Sequence, residues 1–202
     1  MSQLALMHFK DESTYRLIPS KYPPIHLYED VADAEQLEAV FAVEALTNPR
    51  LKEETGDFSL IPVEDRLVGI PHCSYVMAAF THFTPDGGRF NTPDFGAYYC
   101  APSVDTAIKE TVYHMERIMS YTNATAQDIQ MRTIAATFSG QLTDLTRDEY
   151  SSTDIYHPTN YRHSQALAEG IKGNQGDGVY YHSVRHAGYM CYALFKPRLV
   201  SK

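Results

Sequence analysis

Residues 86–110 read DGGRFNTPDFGAYYCAPSVDTAIKE, and this stretch combines a glycine-flanked arginine, a Pro-Asp turn, an aromatic strand and a capped helix. The two glycines before Arg89 have no Cβ, so the backbone there can adopt positive φ and approach a ligand closely. The planar guanidinium of Arg89 suits a phosphate group. In the strand that follows the turn, Tyr98 and Tyr99 point to opposite faces. We therefore expect one of these rings in the core and the other in a pocket.

A helix is predicted to begin after Ser103, whose hydroxyl can cap the first turn. Apolar residues recur along it at a spacing of three to four positions, which predicts the buried face. These residues are Val104, Ala107, Ile108, Val112, Met115 and Met119. Glu110 falls on the opposite side of this helix, where it can point into a cleft or into water.

The length of 202 residues favours one domain over residues 1–202, and 44% hydrophobic with 21% charged residues is an ordinary globular composition. The formal net charge of -8 and the lack of basic runs argue against direct binding to nucleic acid or to anionic membranes. No apolar stretch approaches the roughly 18 residues of a membrane span. Three cysteines without a C-x-x-C pair fit a reducing cytoplasm and predict neither disulfides nor a zinc site.

Strands and helices are mixed without regular β-α-β alternation, which predicts the α+β class. The predicted strands are residues 14–18, 97–100, 132–139 continued at 142–145, 178–181 and 190–195. The predicted helices besides the one after Ser103 are residues 33–46 and 164–171. Residues 75–83 fit either a buried strand or a short helix. A further short strand is expected at residues 58–61.

The residues that could take part in catalysis or bind a metal indicate neither a metal site nor a serine or cysteine hydrolase. His182 and His186 have a helical i, i+4 spacing, but their segment follows a strand and precedes a glycine. No G-x-S-x-G motif is present. What remains is a set formed by Arg16, Arg89, Tyr98 or Tyr99, Glu110, Ser183 and Arg185.

This set matches the needs of a site that acts on the glycosidic bond of a nucleotide. Arginines can hold phosphates, an aromatic ring can stack on a flat ring, a carboxylate can stabilise a cationic sugar and a hydroxyl can bind a ribose. Each member also has a simpler interpretation. The arginines could form surface salt bridges, the tyrosines could pack in the core, and Glu110 could be a solvated helix residue.

At these residues the sequence resembles the RES-domain family, which is named for its Arg, Glu and Ser. The matching segments are YRLIPSKYPP at 15–24, TNPR at 47–50, GGRFN at 87–91, TAIKE at 106–110 and GVYYHSVRHAG at 178–188. Phe90 stands where many relatives have tryptophan. Residues 25–70 resemble a helical or irregular insertion of longer relatives.

The resemblance implies a fold similar to ADP-ribosyltransferases, with a mixed or antiparallel β core flanked by helices and a partly helical N-terminal region. It implies the toxin of a bacterial toxin-antitoxin pair that consumes NAD as substrate and needs no prosthetic group. Some members resemble phosphorylases that use inorganic phosphate as co-substrate, and others transfer ADP-ribose to proteins or nucleotides. The implied partner is a helix-turn-helix antitoxin of Xre type, bound in a hetero-oligomeric complex.

The resemblance also assigns roles to particular residues. The implied catalytic residues are Arg89, Glu110 and Ser183. The implied substrate-binding residues are Arg16, Tyr15, Tyr98, Tyr99 and Arg185. In this assignment the arginines bind the diphosphate or an incoming phosphate and Tyr99 lies near nicotinamide. Glu110 orients the ribose and stabilises its developing positive charge, with Ser183 hydrogen-bonded nearby.

Overall fold

The structure is a computed structural model that describes residues 4–20, 29, 33, 36–40, 56–82, 85–122 and 127–201. The strands are β1 (Leu6–Pro19), β2 (Tyr98–Cys100), β3 (Met131–Asp144), β4 (Gly178–His182), β5 (Met190–Leu194) and β6 (Val200–Ser201). The helices are α1 (Cys73–Thr81), α2 (Val104–Thr122), α3 (Asp148–Ser151) and α4 (Arg162–Gly173). Short 3-10 turns lie at Phe58–Leu60, Val63–Asp65, Asp154–Tyr156 and Pro197–Leu199.

All six strands belong to one mixed sheet, which confirms the predicted α+β class. The order is β1-β3-β4-β5-β2, with β6 paired to β3. The pairing of β3 with β4 is parallel and the other pairings are antiparallel. The long β1–β3 ladder runs from Leu6 opposite Thr143 to Pro19 opposite Met131.

The two ends of this strand order meet beside residues 86–91, which carry Gly87, Gly88 and Arg89 and are called the glycine corner below. The backbone N–H of Tyr15 donates to the carbonyl of Ala101 at 2.8 Å, and the N–H of Ala101 donates back at 3.0 Å. Because this bridge joins β1 to the end of β2, it places Arg16 next to Tyr99, from which it is separated by 83 positions in the sequence.

The sheet is covered on both faces, as the alternating directions of the side chains along β5 show. Tyr192 and Leu194 pack into one apolar cluster with α1, whereas Cys191 and Ala193 pack into a second cluster with residues of α2 and α4. Successive strand residues point to opposite faces, so one five-residue strand serves both cores. The helices therefore form a layer on each side of the sheet.

Most predicted elements are present with shifted ends. Residues 75–83, which fitted two interpretations, lie largely in helix α1. The strand expected at 58–61 is wrong, since Phe58–Leu60 forms a 3-10 turn capped by Asp57. Of the helix predicted at 33–46, residues 36–40 are helical and the backbone N–H of Gln36 donates to Asp33 Oδ1 at 2.7 Å. Residues 41–46, and much of the predicted insertion at 25–70, lie outside the described residues.

The buried face predicted for α2 is correct only in part. Val104, Ile108 and Val112 are 38%, 41% and 48% exposed, whereas Ala107 is 6% exposed. The helix turns Ala107, Glu110 and Met115 toward the cavity and leaves Val104, Ile108 and Val112 on its outer side. Periodicity identifies a helix face but not the layer that this face contacts, and here the inward face carries polar and apolar residues around a cavity.

The described residues contain no helix that is both long enough and apolar enough to cross a membrane.

Candidate active site

A cavity of about 580 Å³ lies between α2, the ends of β1 and β2 and the glycine corner. This volume is within the roughly 300–1,000 Å³ of small-molecule pockets. Its wall includes six of the predicted site residues, which are Tyr15, Arg16, Arg89, Tyr99, Glu110 and Arg185. Ser183 lies behind the wall and Tyr98 is turned into the core. The fold thus brings together residues from the start, middle and end of the chain.

Glu110 is held in the wall by Ser183. The hydroxyl of Ser183 donates to Glu110 Oε1 at 2.6 Å, and it accepts the backbone N–H groups of Arg185 at 3.2 Å and His186 at 2.8 Å. The serine is 6% exposed, so little of it can reach a ligand. Ser183 is therefore placed to orient the carboxylate, and the expected direct contact of its hydroxyl with a ribose is not favoured by this geometry.

The loop that carries Ser183 is attached to the first turn of α2 through His186. Nδ1 of His186 lies 3.0 Å from Oγ1 of the fully buried Thr106, and its ring stacks on Tyr189 with centroids 3.7 Å apart. Ser103 caps the helix as predicted, since its Oγ accepts the N–H of Thr106 at 3.2 Å. The first turn of α2 and the loop that carries Ser183 are therefore joined by hydrogen bonds, which fix the positions of both Ser183 and Glu110.

Tyr99 organises the glycine corner. Its hydroxyl accepts the N–H of Phe90 at 2.8 Å and donates to Asn91 Oδ1 at 2.8 Å. Gly87 has φ +68°, as expected, and a Cβ on Gly88 would lie 2.6 Å from the tyrosine hydroxyl. Glycine is required at position 87 because φ is positive there, and at position 88 because a side chain would not fit. Tyr99 thus has a structural role in addition to its place in the cavity wall.

Arg89 is anchored in the protein through one terminal nitrogen. Nη1 donates to the carbonyls of Ile155 at 3.0 Å and His157 at 2.8 Å, and the guanidinium carbon lies 4.6 Å from the centre of the Tyr161 ring. The residue is 8% exposed. Because Nη1 already holds the carbonyls of residues 155 and 157, only the rest of the Arg89 guanidinium is available for the phosphate group predicted from the sequence.

The contacts of Arg16 and Tyr98 show which tyrosine of β2 lies in the core. Nη1 of Arg16 donates to the carbonyl of Tyr99 at 3.0 Å, and its guanidinium carbon lies 5.1 Å from the ring centre of Tyr98. Tyr98 is 1% exposed and belongs to the core cluster of α1. The assignment of Tyr98 to substrate binding is thus corrected, since the alternation of the strand points its ring away from the cavity.

Arg185 contacts the cavity rim and two tyrosines. Its guanidinium carbon lies 3.3 Å from the ring centre of Tyr113, and Nη2 donates to the carbonyl of Pro158 and lies 3.5 Å from the hydroxyl of Tyr161. A fourth arginine, Arg117, was not among the predicted site residues. It lies in the same wall, with its guanidinium carbon 5.8 Å from the ring centre of Tyr161. Its position seven residues after Glu110 places both residues on one face of the helix, and this spacing could have indicated Arg117 from the sequence.

His114 is a second residue that sequence reasoning missed. It lies one turn after Glu110 in the cavity wall. Desolvation lowers the pKa of His114 below 6.5, and the positive charges of Arg185, Arg117 and Arg89 lower it further, although Glu110 acts in the opposite direction.

The four cavity arginines share an unusual electrostatic feature. Within the described part of the chain, no carboxylate forms an ion pair with Arg16, Arg89, Arg117 or Arg185. Buried or half-buried cations are normally paired. The wall is therefore suited to an anionic ligand. Among the same described residues, no group of three or more His, Cys, Asp or Glu side chains is arranged to hold a metal ion.

The sequence profile of the RES domain family matches residues 66–202, which is more than half of the chain, and the protein belongs to this family. Arg16 and Tyr15 lie before the matched range. The chain is 28% identical over 187 residues to the uncharacterized protein y4oC of Sinorhizobium fredii, covering 93% of this chain and 76% of the relative. It is also similar to a chain in the crystal structure of the M. tuberculosis MbcT-MbcA toxin-antitoxin complex. That match has a TM-score of 0.43 and 18% identity, and it covers 58% of this chain and 69% of that chain.

Proposed function

We propose that this protein is an NAD-consuming toxin that breaks the bond between nicotinamide and ribose. The observation that carries the proposal is Glu110, oriented by Ser183 in the wall of a cavity whose arginines form no ion pair with a carboxylate of the described residues. A dinucleotide presents two phosphates, two riboses and a flat cationic ring to such a wall. The RES-domain resemblance implies the same substrate.

The reaction proposed here places the carboxylate of Glu110 beside the nicotinamide ribose. When the C1″–N bond breaks, its electron pair moves to the pyridinium nitrogen and neutral nicotinamide leaves. The sugar then carries an oxocarbenium-like positive charge, which a fixed carboxylate stabilises more than it stabilises the ground state. The hydrogen bond from Ser183 at 2.6 Å holds the carboxylate in place before the reaction, so no reorganisation is needed.

The acceptor that we favour is inorganic phosphate. One of its oxygens would form a new bond to C1″ and give ADP-ribose-1″-phosphate, whereas water would give ADP-ribose and a proton. Phosphorolysis requires a second anion beside the diphosphate of the substrate, and four guanidiniums in the wall of one cavity suit that requirement. Transfer of ADP-ribose to a protein needs the same bond cleavage with another nucleophile.

The test is incubation of the purified protein with NAD, with and without inorganic phosphate, followed by mass spectrometry and phosphorus NMR of the products. ADP-ribose-1″-phosphate that forms only with phosphate supports phosphorolysis. Free ADP-ribose that forms at the same rate without phosphate identifies a glycohydrolase, and label attached to a protein identifies a transferase. Intact NAD in every reaction would contradict the catalytic proposal and favour an inert binding module.

The partner that we propose is a small helix-turn-helix antitoxin of Xre type, which would bind this chain and supply the DNA contacts. The family resemblance supports this partner, and the net charge of -8 fits a toxin that does not itself bind DNA. Co-expression with the product of the neighbouring gene should give one peak in size-exclusion chromatography. Two separate peaks and undiminished NAD loss would refute the partnership.

A further inference from the structure

Tyr161 gathers three guanidiniums from distant parts of the chain. The guanidinium carbons of Arg89 and Arg117 lie 4.6 and 5.8 Å from the centre of its ring. Nη2 of Arg185 lies 3.5 Å from its hydroxyl. Tyr161 is 9% exposed and directly precedes α4, so its ring is a fixed support for all three charges.

This convergence places three positive charges near one ring, and a bound anion would stabilise it. Like charges at one site repel each other, and partial burial of Arg89 weakens the screening by water. The ring face of Tyr161 attracts Arg89 and Arg117, and that of Tyr113 attracts Arg185, but neither ring carries a net charge that could neutralise them. Asp86 and Glu110 lie in the same wall, but within the described ranges no carboxylate forms an ion pair with these arginines.

We propose that Arg89, Arg117 and Arg185 form a binding site for a phosphate-type oxyanion beside Tyr161, in which Arg117 is a direct ligand. The site differs from the position of Arg16, whose guanidinium is held by the Tyr99 carbonyl over another ring. Planar guanidiniums from three directions match the oxygens of a tetrahedral anion. The inference deepens the proposed function by naming the residues that bind an anion, and it is testable without turnover.

Arg117 is the most informative of the three residues to change. Arg89 and Arg185 also hold the carbonyls of the 155–158 turn, so their removal would disturb the loop. Arg117 lies half-buried on α2, where its hydrogen bond runs from Nε to the exposed Tyr121 hydroxyl at 3.1 Å. Glutamine has nearly the same helix propensity as arginine. Arg117→Gln should therefore remove the charge and keep the helix.

The experiment is calorimetric titration of the full chain with inorganic phosphate alone. We expect Arg117→Gln to weaken phosphate binding about tenfold, because a hydrogen bond to a charged group is lost. Arg147→Gln makes the same change of net charge at an exposed residue outside the cavity and should leave binding unchanged. Circular dichroism checks that both variants are folded. Equal phosphate affinity in wild type and Arg117→Gln, or equal weakening by both substitutions, would overturn the proposal.

A second titration with ADP identifies the source of the oxyanion. If ADP displaces phosphate, the site binds the diphosphate of the substrate. If ADP and phosphate bind at the same time, the site binds a separate phosphate acceptor. Either result supports the site, provided that Arg117→Gln weakens phosphate binding. The proposed function is tested separately, by whether the protein cleaves NAD. Anion binding that depends on Arg117 in a protein that leaves NAD intact would uphold the site and reject the reaction.

Discussion

Removal of the Ser183 hydroxyl should affect the reaction only through Glu110. A hydrogen bond to a charged group contributes about 1.5–3 kcal/mol, so Ser183→Ala should slow NAD cleavage about 10- to 100-fold. Glu110→Gln removes the charge itself and should slow it about 10²- to 10³-fold. The double variant should then be no slower than Glu110→Gln, because the serine has no carboxylate left to orient.

The measurement is a double-mutant cycle on single-turnover rates of nicotinamide release. Ser59→Ala is the matched control, since Ser59 also donates to a carboxylate, that of Asp57 at 2.5 Å, but on an exposed turn. Its rate should equal that of wild type. If the effects of Ser183→Ala and Glu110→Gln multiply in the double variant, the serine acts independently of the carboxylate and the positioning role is refuted.

The same serine substitution should also lower the melting temperature. Ser183→Ala leaves two backbone N–H groups without their acceptor in a buried site, at a cost of about 2 kcal/mol. For a chain of this size that corresponds to a decrease of about 4–8 °C. Calorimetric scans of the alanine variant check the value, and an unchanged melting temperature would show that water or a rearranged loop satisfies both amides.

Three further results are expected. Arg89→Lys should lose both activity and stability, since the single nitrogen of lysine cannot both donate to the carbonyls of Ile155 and His157 and contact a phosphate group. Unchanged turnover and melting would remove Arg89 from the site. Burial raises the pKa of Cys73 to about 11 and that of Cys100 to about 12, so all three buried cysteines should resist thiol reagents at pH 8 until the protein is denatured. In Glu110→Gln the pKa of His114, followed by NMR, should fall further because the carboxylate that raises it is gone, and a rise would contradict the site geometry.

The local features of the chain are largely predictable from sequence. Ser103 caps its helix, Gly87 adopts positive φ, and the two adjacent tyrosines separate into core and cavity. Each of these follows from the geometry of a few neighbouring residues. The pairing of Ser183 with Glu110 has a different origin, since 73 positions separate them and the family resemblance indicated their proximity.

The features that sequence reasoning missed depend on contacts between elements. Spacing places Arg117 and Glu110 on one face of α2, but nothing in the spacing indicates that Tyr161 supports that face. The exposed apolar stripe of the same helix illustrates the complementary error. An apolar face is normally buried, yet Val104, Ile108 and Val112 are exposed while Glu110 and His114 lie in the cavity wall. The apolar pattern of a helix therefore does not decide its orientation where the helix borders a cavity.

The net charge of -8 and the arginine-rich cavity are compatible because they act over different distances. At physiological ionic strength exposed charges are screened beyond about 8 Å, so acidic residues on the outer surface contribute little inside a partly enclosed cavity. The guanidiniums around Tyr161 act at contact distance, where screening is weak. The negative net charge of the chain therefore does not argue against the proposed anion site in the cavity.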